Sequence, residues 1–166
     1  MWRAIRNKAL AFWRQPRFAQ LWFIPLWMLL GIAKATLATV SFRRLAPFLG
    51  TAVGVAPWVP VLDSAQEVRA AHIGRAIELA ARYTPWNSNC LPKALIARVL
   101  LGLYCIPYAL FFGLMRDSND GEFKAHAWVA AGRVRVTGGT SFDQFTVVSC
   151  FVEPQLARTP APDIDP

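Results

Sequence analysis

The sequence predicts an α+β fold in which a helical N-terminal extension precedes a helix packed on a small antiparallel sheet. Three observations carry that prediction. Apolar residues recur at helical spacing as far as about residue 103, they alternate with a period of two from about residue 108, and the whole excess of positive charge lies in the first 62 residues.

Residues 4–14 and 17–38 read as helices. The apolar run at residues 21–33 follows a basic leader, and Ala33-Lys34-Ala35 resembles a signal-peptidase site. Against export stand the bulky Trp22 and Trp27 and the interruption at Pro25, and the run is shorter than the ~20 residues that span a bilayer. The preferred reading is a helix docked on the rest of the chain, with contact of residues 1–45 with a membrane surface next and export last. Residues 51–62, with Gly54, Pro57 and Pro60, read as a linker. Ser64 with Glu67 three positions on forms a capping-box pattern, and Val68, Ala71, Ile73, Ile77 and Ala80 continue a helical stripe towards Tyr83. His72 in that helix reads as an ordinary half-exposed histidine.

Pro85 closes this helix, and Asn87, Ser88 and Asn89 are N-cap types for the next. Pro92 suits only a first turn, and Leu91, Leu95, Val99 and Leu103 keep one apolar stripe. Strands are then expected at 108–115, 123–131, 133–137 and 145–153, with a hairpin turn at Ala131-Gly132. The polar turn at residues 116–121 has too few ligands for a metal loop. The proline-rich tail from Arg158 reads as disordered. The resulting organisation is an extension at 1–50, a linker at 51–62, a domain at 63–155 and a tail at 156–166.

Residues 1–62 hold eight basic side chains and no acid, and the remaining ten basic and ten acidic residues cancel, which gives the net charge of +8. Such a segment suits anionic lipid or an acidic partner; nucleic acid is excluded for want of any binding motif. The three cysteines make no disulfide framework. With no CxxC and no histidine cluster they argue for a reducing compartment and against structural zinc, and Cys105 and Cys150 read as core thiols.

Cys90 falls in the first turn of its helix, where unpaired backbone N–H groups and the positive end of the helix dipole stabilise a thiolate. His126 stands mid-strand, sharing a face with Lys124, Trp128 and Ala130, while Phe123, Ala125, Ala127 and Val129 take the other. A helix-start thiol and a strand imidazole are the pair that nucleophilic catalysis needs. The alternative for each is plain structure: a small residue closing a helix-loop junction, and a satisfied strand histidine.

Trp86 with Cys90-Leu91 and Ala94-Leu95, then residues 102–107 entering a strand, then Phe123-Lys124-Ala125-His126-Ala127-Trp128-Val129, resemble the leader peptidases (B2 proteins) of lasso-peptide biosynthesis, which are transglutaminase-like cysteine proteases. The resemblance covers about residues 60–152. It implies a papain/transglutaminase-like core with Cys90 as nucleophile and His126 as proton relay, cutting the leader from a ribosomally made lasso precursor peptide in the cytoplasm. It further implies an asparagine-synthetase-like macrocyclase downstream and no cofactor. The family's leader-recognition module is winged-helix-like and residues 1–62 show nothing β-rich, so a separate recognition protein is expected. The family's helical extension ends in a Phe-Arg-x-Leu segment, matched here by Phe42-Arg43-Arg44-Leu45.

One departure from the family pattern concerns the acid that closes the triad. With the hairpin turn at Ala131-Gly132, His126 faces Thr137, and the orienting group is due at about Thr137 to Gly139, where no carboxylate stands. Asp143 is the candidate from downstream, reached if the loop Gly138-Gly139-Thr140-Ser141 folds under the site, and the Thr137 hydroxyl is the alternative. Oxyanion and substrate contacts are expected from the Cys90 N–H with Trp86, Asn87 and Trp128. Two other functions remain open: amide transfer to an amine, and a non-catalytic scaffold that binds peptide or membrane.

Overall fold

The structure is a computed structural model that describes residues 15–56, 58–117, 121–139 and 141–156. The helix expected at 4–14 and the tail from Arg158 lie outside the described residues.

Helix α1 (Arg17–Thr39) buries Ala19, Leu26, Leu30 and Ala33, one line at helical spacing, against the core. Two indoles tie it down: Trp22 Nε1 donates to the Tyr104 hydroxyl at 3.0 Å and Trp27 Nε1 donates to the Tyr83 carbonyl at 3.2 Å. It is therefore docked on the rest of the chain. A short helix α2 (Phe42–Leu45) and a 3-10 turn at Ala46–Phe48 follow.

The expected linker is not free of structure. Thr51–Ala52 forms a two-residue strand, β1, paired with Val152 and Phe151. Gly50 makes that approach feasible, since a Cβ there would stand 2.3 Å from the Val152 carbonyl oxygen. Just before it, the Leu49 carbonyl accepts from the buried Tyr108 hydroxyl at 3.0 Å, and that hydroxyl accepts from Arg98 Nε at 3.1 Å. Burial pushes the Tyr108 phenol above its ordinary value, against the opposing pull of Arg98.

Helix α3 (Ser64–Arg82) is capped one residue ahead of the expected Ser64. Asp63 accepts from the Gln66 N–H at 2.8 Å, and Gln66 Oε1 accepts from the Asp63 N–H at 3.2 Å, so the box is Asp63/Gln66 instead of Ser64/Glu67. Glu67 is used elsewhere: its Oε1 accepts from the Arg133 N–H at the hairpin turn. Helix α4 (Cys90–Leu103) has Cys90 in its first turn, as expected, and begins on it. It ends with the Ile106 N–H on the Leu101 carbonyl and the Cys105 N–H on the Gly102 carbonyl, a left-handed exit that puts Cys105 at φ 52. This exit corrects the core assignment of Cys105, which is exposed. Cys150 is buried, and burial pushes its thiol upward.

The sheet has the order β1-β5-β2-β3-β4 and is antiparallel throughout, with β2 Ala109–Arg116, β3 Phe123–Ala131, β4 Val134–Thr137 and β5 Thr146–Val152. The α+β expectation holds. Its two faces differ. Leu110, Ala127, Val129, Ala131 and Phe151 pack under α3 and α4 with Ile73, Ile77, Ala97, Leu100 and Leu101. The reverse face gathers Ala109, Phe111, Trp128, Cys150 and Val152 with Phe145 and Val147 beside them.

Candidate active site

Cys90 is the first residue of α4, half-buried against the helix-side core. Asn89 precedes it with extended backbone and makes no side-chain cap, so the first-turn N–H groups are left for another acceptor. Pro92, in the same turn, has no N–H to lose.

His126 lies on β3 and its ring stacks with two aromatics, Phe145 at 4.9 Å and Trp128 at 5.9 Å between centroids. Its Nε2 lies 2.9 Å from the Gly138 carbonyl oxygen. A carbonyl only accepts, so Nε2 carries the proton and the neutral ring keeps its lone pair on Nδ1. The Gly138 backbone thus fixes tautomer and orientation. Only glycine permits this approach: φ is +102 there, and a Cβ would fall 2.3 Å from the Trp128 Cβ.

The thiol and the imidazole pack with different faces of the sheet. Alternation along β3 turns Ala127 and Val129 to the helices and Trp128 to the aromatic face, and His126 goes with Trp128. Cys90 packs with the helix-side cluster, and among the described residues no hydrogen bond joins it to His126.

The two expected orienting groups do not hold the ring. The hairpin turns at Gly132 and Arg133, one residue later than expected, and a bulge between Val129 and Ala130 shifts the register, so Thr137 pairs with Val129 and not with His126. Thr137 is 2% exposed and its Oγ1 has no partner. Asp143 stands in a 3-10 turn, Ser141–Gln144, just ahead of β5. It is exposed and rims a cavity of about 340 Å³ with Trp128, Phe145, Arg133 and Arg135.

The expected oxyanion and substrate contacts are also differently employed. The Trp86 indole packs on Trp27 at 5.0 Å and closes over Gly31, where a Cβ would stand 2.9 Å from the ring; its Nε1 is buried without a partner. Asn87 is exposed, and its carbonyl accepts from Lys34 Nζ at 3.3 Å. Trp128 is 5% exposed and stacks on Phe111 as well as on His126. Near the start of α4, Lys93 pairs with Glu78 at 2.9 Å. No group of three or more His, Cys, Asp or Glu side chains placed to hold a metal ion occurs among the described residues.

Sequence reasoning missed the Gly138 carbonyl and the Phe145 stack. The available signal was the Gly138-Gly139 pair, which brings bare backbone next to a strand histidine in place of a side chain.

No curated protein and no solved structure matches the chain. A family model described as the transglutaminase-like superfamily matches residues 36–150, a span that takes in α3, the Cys90 helix, β2, β3 and β4 and most of β5. Matching well over half of the chain, it settles the kinship: the protein belongs to the transglutaminase-like superfamily, which includes cysteine proteases.

Proposed function

We propose that this protein is a cytoplasmic thiol peptidase that removes the leader from a lasso-type precursor peptide, with a separate protein presenting that leader and an asparagine-synthetase-like macrocyclase acting afterwards. The observation that carries the reading is Cys90 as the first residue of α4, uncapped by Asn89, inside a transglutaminase-like domain. Cys90 Sγ attacks the carbonyl carbon of the leader-core amide, and the first-turn N–H groups receive the charge that develops on oxygen. The proton from the thiol goes to the free ring nitrogen of His126 and then to the leaving amine. Water hydrolyses the thioester and frees Cys90.

This chemistry requires the start of β3 to bring the imidazole round to the thiol, a rearrangement assigned to binding of the presented precursor. Among the described residues no carboxylate accepts from His126 to stabilise an imidazolium, so slow turnover is expected.

A second reading is favoured by one observation, the separation of Cys90 and His126 across β3: a non-catalytic scaffold that holds peptide. Mass spectrometry of the precursor incubated with this protein and the recognition partner, with Cys90→Ala alongside, decides between them. The expected result is cleavage at one bond by wild type and none by the variant. Absence of cleavage with a partner shown to hold the leader overturns the peptidase and leaves the scaffold. Product mass separates hydrolysis, which adds water, from amide transfer, which does not.

A further inference from the structure

Helix α1 is apolar on both sides. The side opposite its buried line exposes Leu21 by 77%, Ile24 by 62%, Met28 by 55% and Ile32 by 58%. Steps of three, four and four residues place these on one line about 16 Å long, at roughly 1.5 Å of rise per residue. A solvent-facing helix side ordinarily carries charge. Here no residue between Arg17 and Lys34 is charged. Most of the helix also precedes residue 36, where the family match begins, so the shared domain does not account for the stripe.

The charges at its ends select a partner. Arg17 heads the same line, Arg43 and Arg44 stand exposed just past the C-terminal end, and residues 1–62 contain no acid to offset them. Apolar side chains flanked by arginines, in a stretch of sequence without an acidic residue, match the boundary between acyl chains and anionic headgroups.

We propose that α1 seats the protein on an anionic lipid surface, lying in the interface with Leu21, Ile24, Met28 and Ile32 inserted. By length and composition alone the helix is long and apolar enough to cross a membrane. Crossing would strip Leu26, Leu30 and Ala33 from the core and break the Trp22–Tyr104 and Trp27–Tyr83 bonds.

The test is sedimentation of the full chain with vesicles of phosphatidylcholine alone and of equal parts phosphatidylcholine and phosphatidylglycerol. Wild type should pellet with the anionic vesicles and release in high salt. The pair Leu21→Gln/Met28→Gln should weaken that binding by about tenfold or more. Arg43→Gln/Arg44→Gln should weaken it several-fold, and Leu103→Gln, an exposed apolar residue outside α1, should leave it unchanged. Circular dichroism melts confirm that each variant folds. No pelleting of wild type, undiminished pelleting of the glutamine pair, or equal binding to neutral vesicles overturns the proposal. So does a shift from dimer to monomer in the glutamine pair without loss of vesicle binding, which would assign the stripe to a second copy.

Discussion

The two faces of the sheet are built from different materials. The helix side is mainly aliphatic: Leu110 and Val129 meet Ile73, Ile77 and Leu100, its buried Tyr108 hydroxyl is bonded to Leu49 and Arg98, and Cys90 sits at its margin. The reverse side is aromatic, and it holds a polar ring by stacking and one directed hydrogen bond. Aliphatic packing is non-directional and tolerates adjustment, whereas a stacked, bonded imidazole has one working orientation. The first face explains stability and the second is organised around a functional group. The candidate nucleophile belongs to the first and the candidate base to the second, so chemistry between them depends on what happens at β3.

Thiol access gives the largest expected contrast. Iodoacetamide should reach Cys90 and exposed Cys105 in the resting protein, while buried Cys150 waits for opening of the fold and reacts slower by a factor on the order of 10³. The comparison breaks on one variant. His126→Ala should leave the resting rate at Cys90 unchanged, because no hydrogen bond joins the two; slowing by tenfold would mean that the faces meet in solution.

Gly138→Ala should cost about 3 kcal/mol in urea unfolding, from the clash with Trp128 and a left-handed φ together. A cost near zero would show that the Gly138 carbonyl does not lie where it can hold His126. Tyr108→Phe tests the aliphatic side and should cost about 1 kcal/mol by removing a buried hydroxyl bonded to Leu49 and Arg98. Its pH dependence has a definite sign. Burial raises the folded phenol, so the neutral form is favoured; this stability is fully present below the ordinary value of 10.0 and is lost as pH rises through the higher folded value. Alkaline unfolding should therefore be later for Tyr108→Phe relative to its own neutral-pH stability. Trp86→Phe is the smallest effect, within about 1 kcal/mol, because the lost packing is offset by removing an unpartnered N–H. A loss above about 3 kcal/mol would mean that this N–H has a partner.

Long elements were legible in the sequence because their periods are sustained. The first-turn place of Cys90, the helix end near Leu103 and the strand bounds 123–131 agree with α4 and β3, and alternation placed His126 beside Trp128. What alternation could not say is which face the helices cover, since Ala127-Val129 and Trp128-Ala130 are both apolar. β1 was illegible because two residues have no period, and it exists through Gly50 and the partner edge of β5. The hairpin turned one residue late because Gly132 adopts φ +58, as its first turn residue, and the bulge beside Val129 then moved Thr137 away from His126. Capping shifted because Asp63 and Gln66 satisfy the helix start and release Glu67 to the Arg133 N–H. Cys105 escaped the core because leaving α4 requires a left-handed residue, which swings the side chain outward.

The two indole tethers of α1 reach the far ends of the neighbouring helices, Tyr83 just past α3 and Tyr104 just past α4. That makes α1 a splint across the joint between them. A polypeptide started at residue 36, where the shared domain begins, would keep every candidate site residue yet lose the brace and the buried line Ala19, Leu26, Leu30 and Ala33. The stretch inherited as a domain is thus shorter than the stretch that must fold as one, and whatever anchors α1 also sets the stiffness of the helix that presents Cys90.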